Sequence, residues 1–145
     1  MIEKYDEPNT MTFIAPPTAP HLYQAELDKI RAQFKLLSQE KRGLAGNREF
    51  MDQGHLNAHY PDPVTFTPFM IDHIPAERVE AGTGIGSQKV LLHCHGGGYA
   101  VGSTLSHRPL AAQLSLATGY SVITFNYRLA PEHRFPCALE DAVTV

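Results

Sequence analysis

The 145 residues predict an α/β fold, and three observations carry that reading. Short β-rich runs alternate with stretches of helical spacing in the order strand, glycine loop, helix, strand, helix. That is the rhythm of a sheet whose strands are joined by right-handed crossovers over its faces. The composition is globular, with 43% hydrophobic and 19% charged residues. The length suits one domain or a piece of one, able to bury roughly two-thirds of its unfolded surface.

The elements follow in order. Residues 1–20 carry Pro8, Pro16, Pro17 and Pro20 and read as an extended arm. Over 21–37, Leu22, Leu27, Ile30, Phe34 and Leu37 recur at helical spacing, with Asp28, Lys29, Arg31 and Lys35 between them, which predicts an amphipathic helix. A second short helix is expected over 44–51. Both read as packing helices without chemistry, so 1–55 is taken as an arm and helical segment and 56–145 as the core. Residues 64–69 alternate like a strand, and Pro68 places it at an edge or a strand end. A weaker strand is expected over 74–79, a turn over 82–87 and a strand over 89–94. Helical spacing returns at Leu105, Leu110, Leu114 and Ala117. Ser106 is the expected N-cap of that helix, Pro109 falls in its first turn, and Gly119 is the natural stop. A buried strand follows over 120–126, and Pro136 opens a last helix running to Val145.

Composition also excludes. Twelve Lys and Arg against 15 Asp and Glu leave a net charge of −3 with no basic block, which argues against nucleic acid and anionic lipid. The longest apolar runs are strand-sized, too short to span a bilayer. The first residues lack the apolar stretch of a secretory signal. Two distant cysteines, Cys94 and Cys137, make no disulfide framework. The expectation is a cytoplasmic protein, with no cofactor and no metal. Cys94 is expected to be a small buried hydrophobe.

The densest chemical signal is Leu92-His93-Cys94-His95-Gly96-Gly97-Gly98-Tyr99. Consecutive glycines after a strand lose more backbone entropy on folding than alanines would, so bare backbone must serve a purpose there. A dinucleotide phosphate cradle fits poorly, because the last glycine of its fingerprint comes one residue late, at Gly102, and no P-loop Lys-Ser/Thr follows. A metal site has two candidate ligands on one strand face, His93 and His95, but no third at a recognisable spacing. His21, His55, His59, His73, His107 and His133 read as surface or locally bonded residues. The favoured reading is an oxyanion hole. Backbone N–H groups held about 3 Å from a developing oxyanion stabilise it by several kcal/mol each. Glycines let those amides turn inward, and His95 would brace the loop.

The run His95-Gly96-Gly97-Gly98-Tyr99-Ala100-Val101-Gly102-Ser103 is followed by a predicted helix and strand. Then come Tyr127-Arg128-Leu129-Ala130-Pro131-Glu132-His133-Arg134-Phe135-Pro136 and Ala138-Leu139-Glu140-Asp141-Ala142. Together these segments resemble the hormone-sensitive-lipase family of carboxylesterases and lipases. The resemblance is close over 89–145, while the N-terminal arm and helix match that family's helical cap only in position and character. It implies the N-terminal part of an α/β-hydrolase fold, a mostly parallel sheet with flanking helices. It also implies Gly97 and Gly98 as oxyanion donors, with His95 and Gly96 completing the HGGG loop. Tyr127, Arg128, Glu132 and Asp141 would be structural support, with Arg128, Glu132 and Asp141 pinning the loop through ion pairs. The substrate implied is a small-molecule ester.

In such enzymes the nucleophile sits in Gly-x-Ser-x-Gly after a later strand, followed by Asp or Glu and then His. None of Ser38, Ser87, Ser103, Ser106, Ser115 and Ser121 is so flanked. The expectation is therefore a fragment truncated before the nucleophile elbow and inactive without a C-terminal half. The strand at 89–94 would be left as an open edge prone to self-association. The alternative is a non-catalytic remnant that pairs with another hydrolase chain through that edge.

Overall fold

A computed structural model of the chain describes residues 24, 25, 27–29, 31, 32, 35 and 41–145. The chain divides into two compact units, Met1–Lys41 and Arg42–Val145. In the first, the described residues of the expected 21–37 helix are helical, and Asp28 accepts hydrogen bonds from Gln24 and Arg31. The expected arm at 1–20 lies outside the described residues.

In the second unit the elements run α1 (Gly43–Gln53), a 3-10 turn (Gly54–Asn57), β1 (Val64–Ile71), β2 (Ile74–Ala81), β3 (Val90–His93), α2 (Thr104–Thr118), β4 (Ser121–Phe125) and α3 (Cys137–Thr144). The four strands form one sheet in the order β1-β2-β4-β3. Its pairing is mixed: β1–β2 and β2–β4 are antiparallel, and β3–β4 is parallel. Loop length explains this. Only Asp72 and His73 separate β1 from β2, which permits nothing but a hairpin. The α2 crossover allows β3 and β4 to run the same way. Pro68 lies in the edge strand β1, opposite Glu77, as its missing N–H requires.

Helices cover both faces. On β2, Ile74 and Ala76 point to one side, where they pack with Phe125, Tyr127 and residues of α3 such as Ala138 and Ala142. Val79 points to the other, against Val122 and the α2 pair Ala111 and Ala112. Small side chains on α2 let its backbone lie close to the sheet. Ser115 is fully buried there and satisfied, accepting from Ala81 N–H at 2.9 Å and donating to Tyr120 O at 2.7 Å. Glu77 is buried as well, and Arg108 of α2 meets its carboxylate through Nε and Nη2.

Two details of α2 differ from expectation. Its N-cap is Ser103, whose hydroxyl accepts from Ser106 N–H, while Ser106 returns the bond to Ser103 N–H. Ser106 is thus the third helical residue of a capping box rather than the cap. The helix therefore starts at Thr104, three residues before a cap at Ser106 would start it, and Pro109 falls in its second turn. Gly119 ends it in the left-handed conformation at φ +67°.

Candidate active site

The parallel strands β3 and β4 end side by side, and the loops that leave them, 94–103 and 126–136, meet above their carboxyl ends. Ligands of open α/β sheets bind at this end. Two glycines in the first loop are sterically obligatory. A Cβ on Gly97, at φ +128°, would lie 1.9 Å from Val101 O, and one on Gly102, at φ +94°, 2.3 Å from Gly96 O. The glycine run is therefore a folded turn with its own internal bonds, from Ala100 and Val101 N–H to Gly97 O.

The rest of the chain grips this turn mostly by its carbonyls. Tyr127 Oη donates to His95 O at 2.7 Å, Ala130 N–H to Tyr99 O at 2.7 Å, and Arg48 Nε to Ala100 O at 2.8 Å. His95 itself turns back, its ring Nδ1 lying 2.9 Å from Gly96 O. The Gly96 N–H donates to His107 Nε2 at 3.2 Å. Among the described residues the N–H groups of Gly97 and Gly98 have no partner. Both glycines line a cavity of about 780 Å³, together with Cys94, Tyr99 and Tyr127. Its far wall is apolar, made by Phe135, Pro136, Leu139 and Ala142.

Tyr127 is buried and stacks on the His95 ring at 4.1 Å between centroids. Burial pushes its phenol up, so it remains a hydrogen-bond donor. Arg128 meets buried Asp141 through Nε and Nη2, at 2.9 and 2.7 Å to Oδ1, and its N–H adds a bond of 2.8 Å to Oδ2. The Arg128 guanidinium holds the Asp141 carboxyl below its usual range, against the opposing effect of burial. Glu132 does not join that pair. It binds Arg48 of α1 at 2.9 and 2.8 Å, and this guanidinium draws its carboxyl down to about 2. The reach of a side chain 84 positions away decides the partner, which sequence neighbourhood could not indicate.

His93 and His95 share a face, as strand alternation requires, and both rings pack on His107 at 5.6 and 5.5 Å. Burial pushes both below the usual histidine value. Among the described residues no group of three or more His, Cys, Asp or Glu side chains is placed to hold a metal ion. Cys94 is exposed to the cavity rather than buried, because it falls on the same uncovered face as the exposed Val90 and Leu92.

Three site residues carry no sequence signal. Arg48 bonds Ala100 O, Ala130 O and Glu132 from a helix that reads as inert packing. Asp52 accepts from the Ser103 hydroxyl. His107, beyond its local bond to Ser106, reaches the glycine turn. Single residues on helices lack the spacing that betrays a motif.

A family model described as alpha/beta hydrolase fold matches residues 91–145. A solved esterase of the bacterial hormone-sensitive lipase family superposes with a TM-score of 0.74 at 30% identity, over 83% of this chain. The matched part of the chain has the α/β-hydrolase fold and is similar to esterases of the hormone-sensitive lipase family. Among curated relatives, an acetyl-hydrolase of Streptomyces hygroscopicus is 40% identical over 104 residues, 72% of this chain. An ethyl acetate hydrolase of Pseudomonas putida is 53% identical over 53 residues, 37% of this chain. The chain spans 32% and 17% of the lengths of these two relatives and 40% of the solved esterase.

Proposed function

We propose that this chain supplies the oxyanion side of a carboxylic ester hydrolase site. The observation that carries the reading is the pair of unpartnered N–H groups at Gly97 and Gly98, on a turn whose carbonyls are otherwise held, at the wall of an apolar cavity. An ester carbonyl seated on those amides would gain hydrogen bonds as its oxygen becomes an alkoxide. The amides need no reorganisation, because His95, Tyr127 and Arg48 already fix the turn. Phe135, Leu139 and Ala142 would take the apolar part of the ester. The names of the acetyl-hydrolase and ethyl acetate hydrolase relatives favour short acyl groups, acetate first.

The sequence holds no Gly-x-Ser-x-Gly. We assign the attacking serine, its histidine and its acidic partner to a segment outside these residues, in the usual Ser-His-Asp roles. By itself the 145-residue chain is then without turnover. The two free thiols favour a cytoplasmic location.

The test is hydrolysis of p-nitrophenyl acetate by the chain alone and by the chain joined to a nucleophile-bearing half. The expected outcome is no turnover alone and turnover when joined. Replacing the Gly98 amide by an ester, which deletes its N–H and weakens Gly97 O as an acceptor without adding bulk, should then lower kcat by about 10²–10³. An unchanged kcat in that variant overturns the oxyanion assignment, and turnover by the chain alone overturns the assignment of the serine to another segment.

A further inference from the structure

We propose that His107 is the positioning residue of the glycine turn, a neutral imidazole protonated on Nδ1 whose Nε2 takes the Gly96 N–H and so sets the direction of the amides that follow. The proposal rests on the oxyanion reading for its purpose, and on hydrogen-bond accounting for its content.

The Gly96 N–H lies 3.2 Å from His107 Nε2 and can only donate. That nitrogen must therefore present its lone pair, which leaves Nδ1 to carry the single ring proton. The other end of the ring accommodates the same tautomer. Nδ1 lies 2.9 Å from Ser106 Oγ. The one hydroxyl proton of Ser106 can go to Ser103 O at 3.0 Å, while its oxygen accepts Ser103 N–H at 2.8 Å. With that proton placed there, Ser106 Oγ accepts from His107, and Nδ1–H is the donor. Ser103 in turn donates its hydroxyl to Asp52 of α1. A continuous chain of hydrogen bonds thus runs from a carboxylate on α1, through the helix cap, to the first peptide of the turn.

His107 is not part of the cavity wall, so it does not meet the substrate. The His93 and His95 rings flank it. The other imidazole near the loop, His95, bonds the carbonyl of Gly96, the opposite end of the same residue. Gly96 is therefore held at both its N–H and its C=O by two histidines, and the next two N–H groups, those of Gly97 and Gly98, inherit a fixed orientation.

The test begins with the chain labelled with ¹⁵N in histidine and glycine, in which an N–H···N bond transmits a scalar coupling between the two nitrogens. The expected result is a correlation between Gly96 N and His107 Nε2, with a pyrrole-type shift at Nδ1 and a pyridine-type shift at Nε2. A proton found on Nε2 overturns the proposal. The second measurement is kinetic, in the chain joined to a nucleophile-bearing half. His107→Ala should lower kcat at least about tenfold with KM within about twofold, since a misplacement near 1 Å can cost a hundredfold. His107→Gln, whose amide oxygen can accept the same N–H, should restore kcat to within about threefold. An unchanged kcat in the Ala variant, or equal losses in both, overturns the assignment, and this pair decides if the labelled chain gives an undispersed spectrum. If the correlation is present but the amide-to-ester change at residue 98 leaves kcat unchanged, the oxyanion reading fails and the His107 bond stands. If the correlation is absent while that change lowers kcat, only the His107 proposal fails.

Discussion

At the scale of single residues, Gly97 and Gly98 look alike in sequence and differ in structure. A methyl group at 97 would meet a backbone carbonyl at 1.9 Å, while one at 98 has nothing within 4 Å. Gly97→Ala must reshape the turn, and esterase turnover in the joined protein should fall at least about a hundredfold. Gly98→Ala incurs only the left-handed conformation at φ +60°, about 1–2 kcal/mol of stability, and should retain measurable turnover. Comparing the two in one p-nitrophenyl acetate assay checks the order, and a more damaging Gly98→Ala would contradict the geometry. Tyr127 makes a separate case. Removing its hydroxyl leaves His95 O without a donor in a buried site, so Tyr127→Phe should destabilise by about 1–3 kcal/mol in urea unfolding.

At the scale of elements, α1 is the piece whose role sequence could not show. Its residues 44–51 carry helical spacing, and the helix is there, but its Arg48 is one arginine among several until the fold brings Ala100, Ala130 and Glu132 to it. By contrast the glycine run, the strands around it and the Gly119 stop were legible, because each answers to a local rule of backbone conformation. The cap of α2 was misread by three residues since Ser103 and Ser106 both satisfy the local preference, and only the bond between them distinguishes cap from third residue. Cys94 was misread because it shares the exposed face of Val90 and Leu92, and which face of a strand is covered is a tertiary decision. The clamp has a pH signature. Glu132 has a lower carboxyl pKa folded than unfolded, so its contribution is complete above about 4.5, declines as pH falls, and is gone below about 2. Hydrogen exchange of α1 amides, relative to the unfolded rate at each pH, should therefore quicken across that acid window in the natural chain. In Arg48→Met it should be fast already at neutral pH, with β2 and β4 unchanged there.

At the scale of the whole molecule, two properties follow from burial. His93 and His95 are held below the ordinary imidazole value of 6.5. The unfolded chain then binds more protons at these two rings just below that value, so their contribution to stability declines as pH falls from about 6.5, opposite in sign to that of exposed His73, whose pairing with Asp72 raises it. In His73→Asn, a thermal midpoint that stays flat between about pH 6.5 and 5 would contradict this. The second property is the outer strand. β3 pairs only with β4 among the described strands, and Val90 and Leu92 are each 47% exposed. Sedimentation should show association rising with concentration, and Leu92→Lys should shift the chain toward monomer.

The Arg48 clamp also fixes a sequence of events in time. Its acceptors lie 52, 82 and 84 positions further along the chain. During synthesis α1 has left the ribosome long before Ala130 and Glu132 exist, and closing loops of that length is an entropic cost met only once the sheet has formed. The glycine turn is therefore set last, after the scaffold, and on heating it should be the first part of this unit to let go.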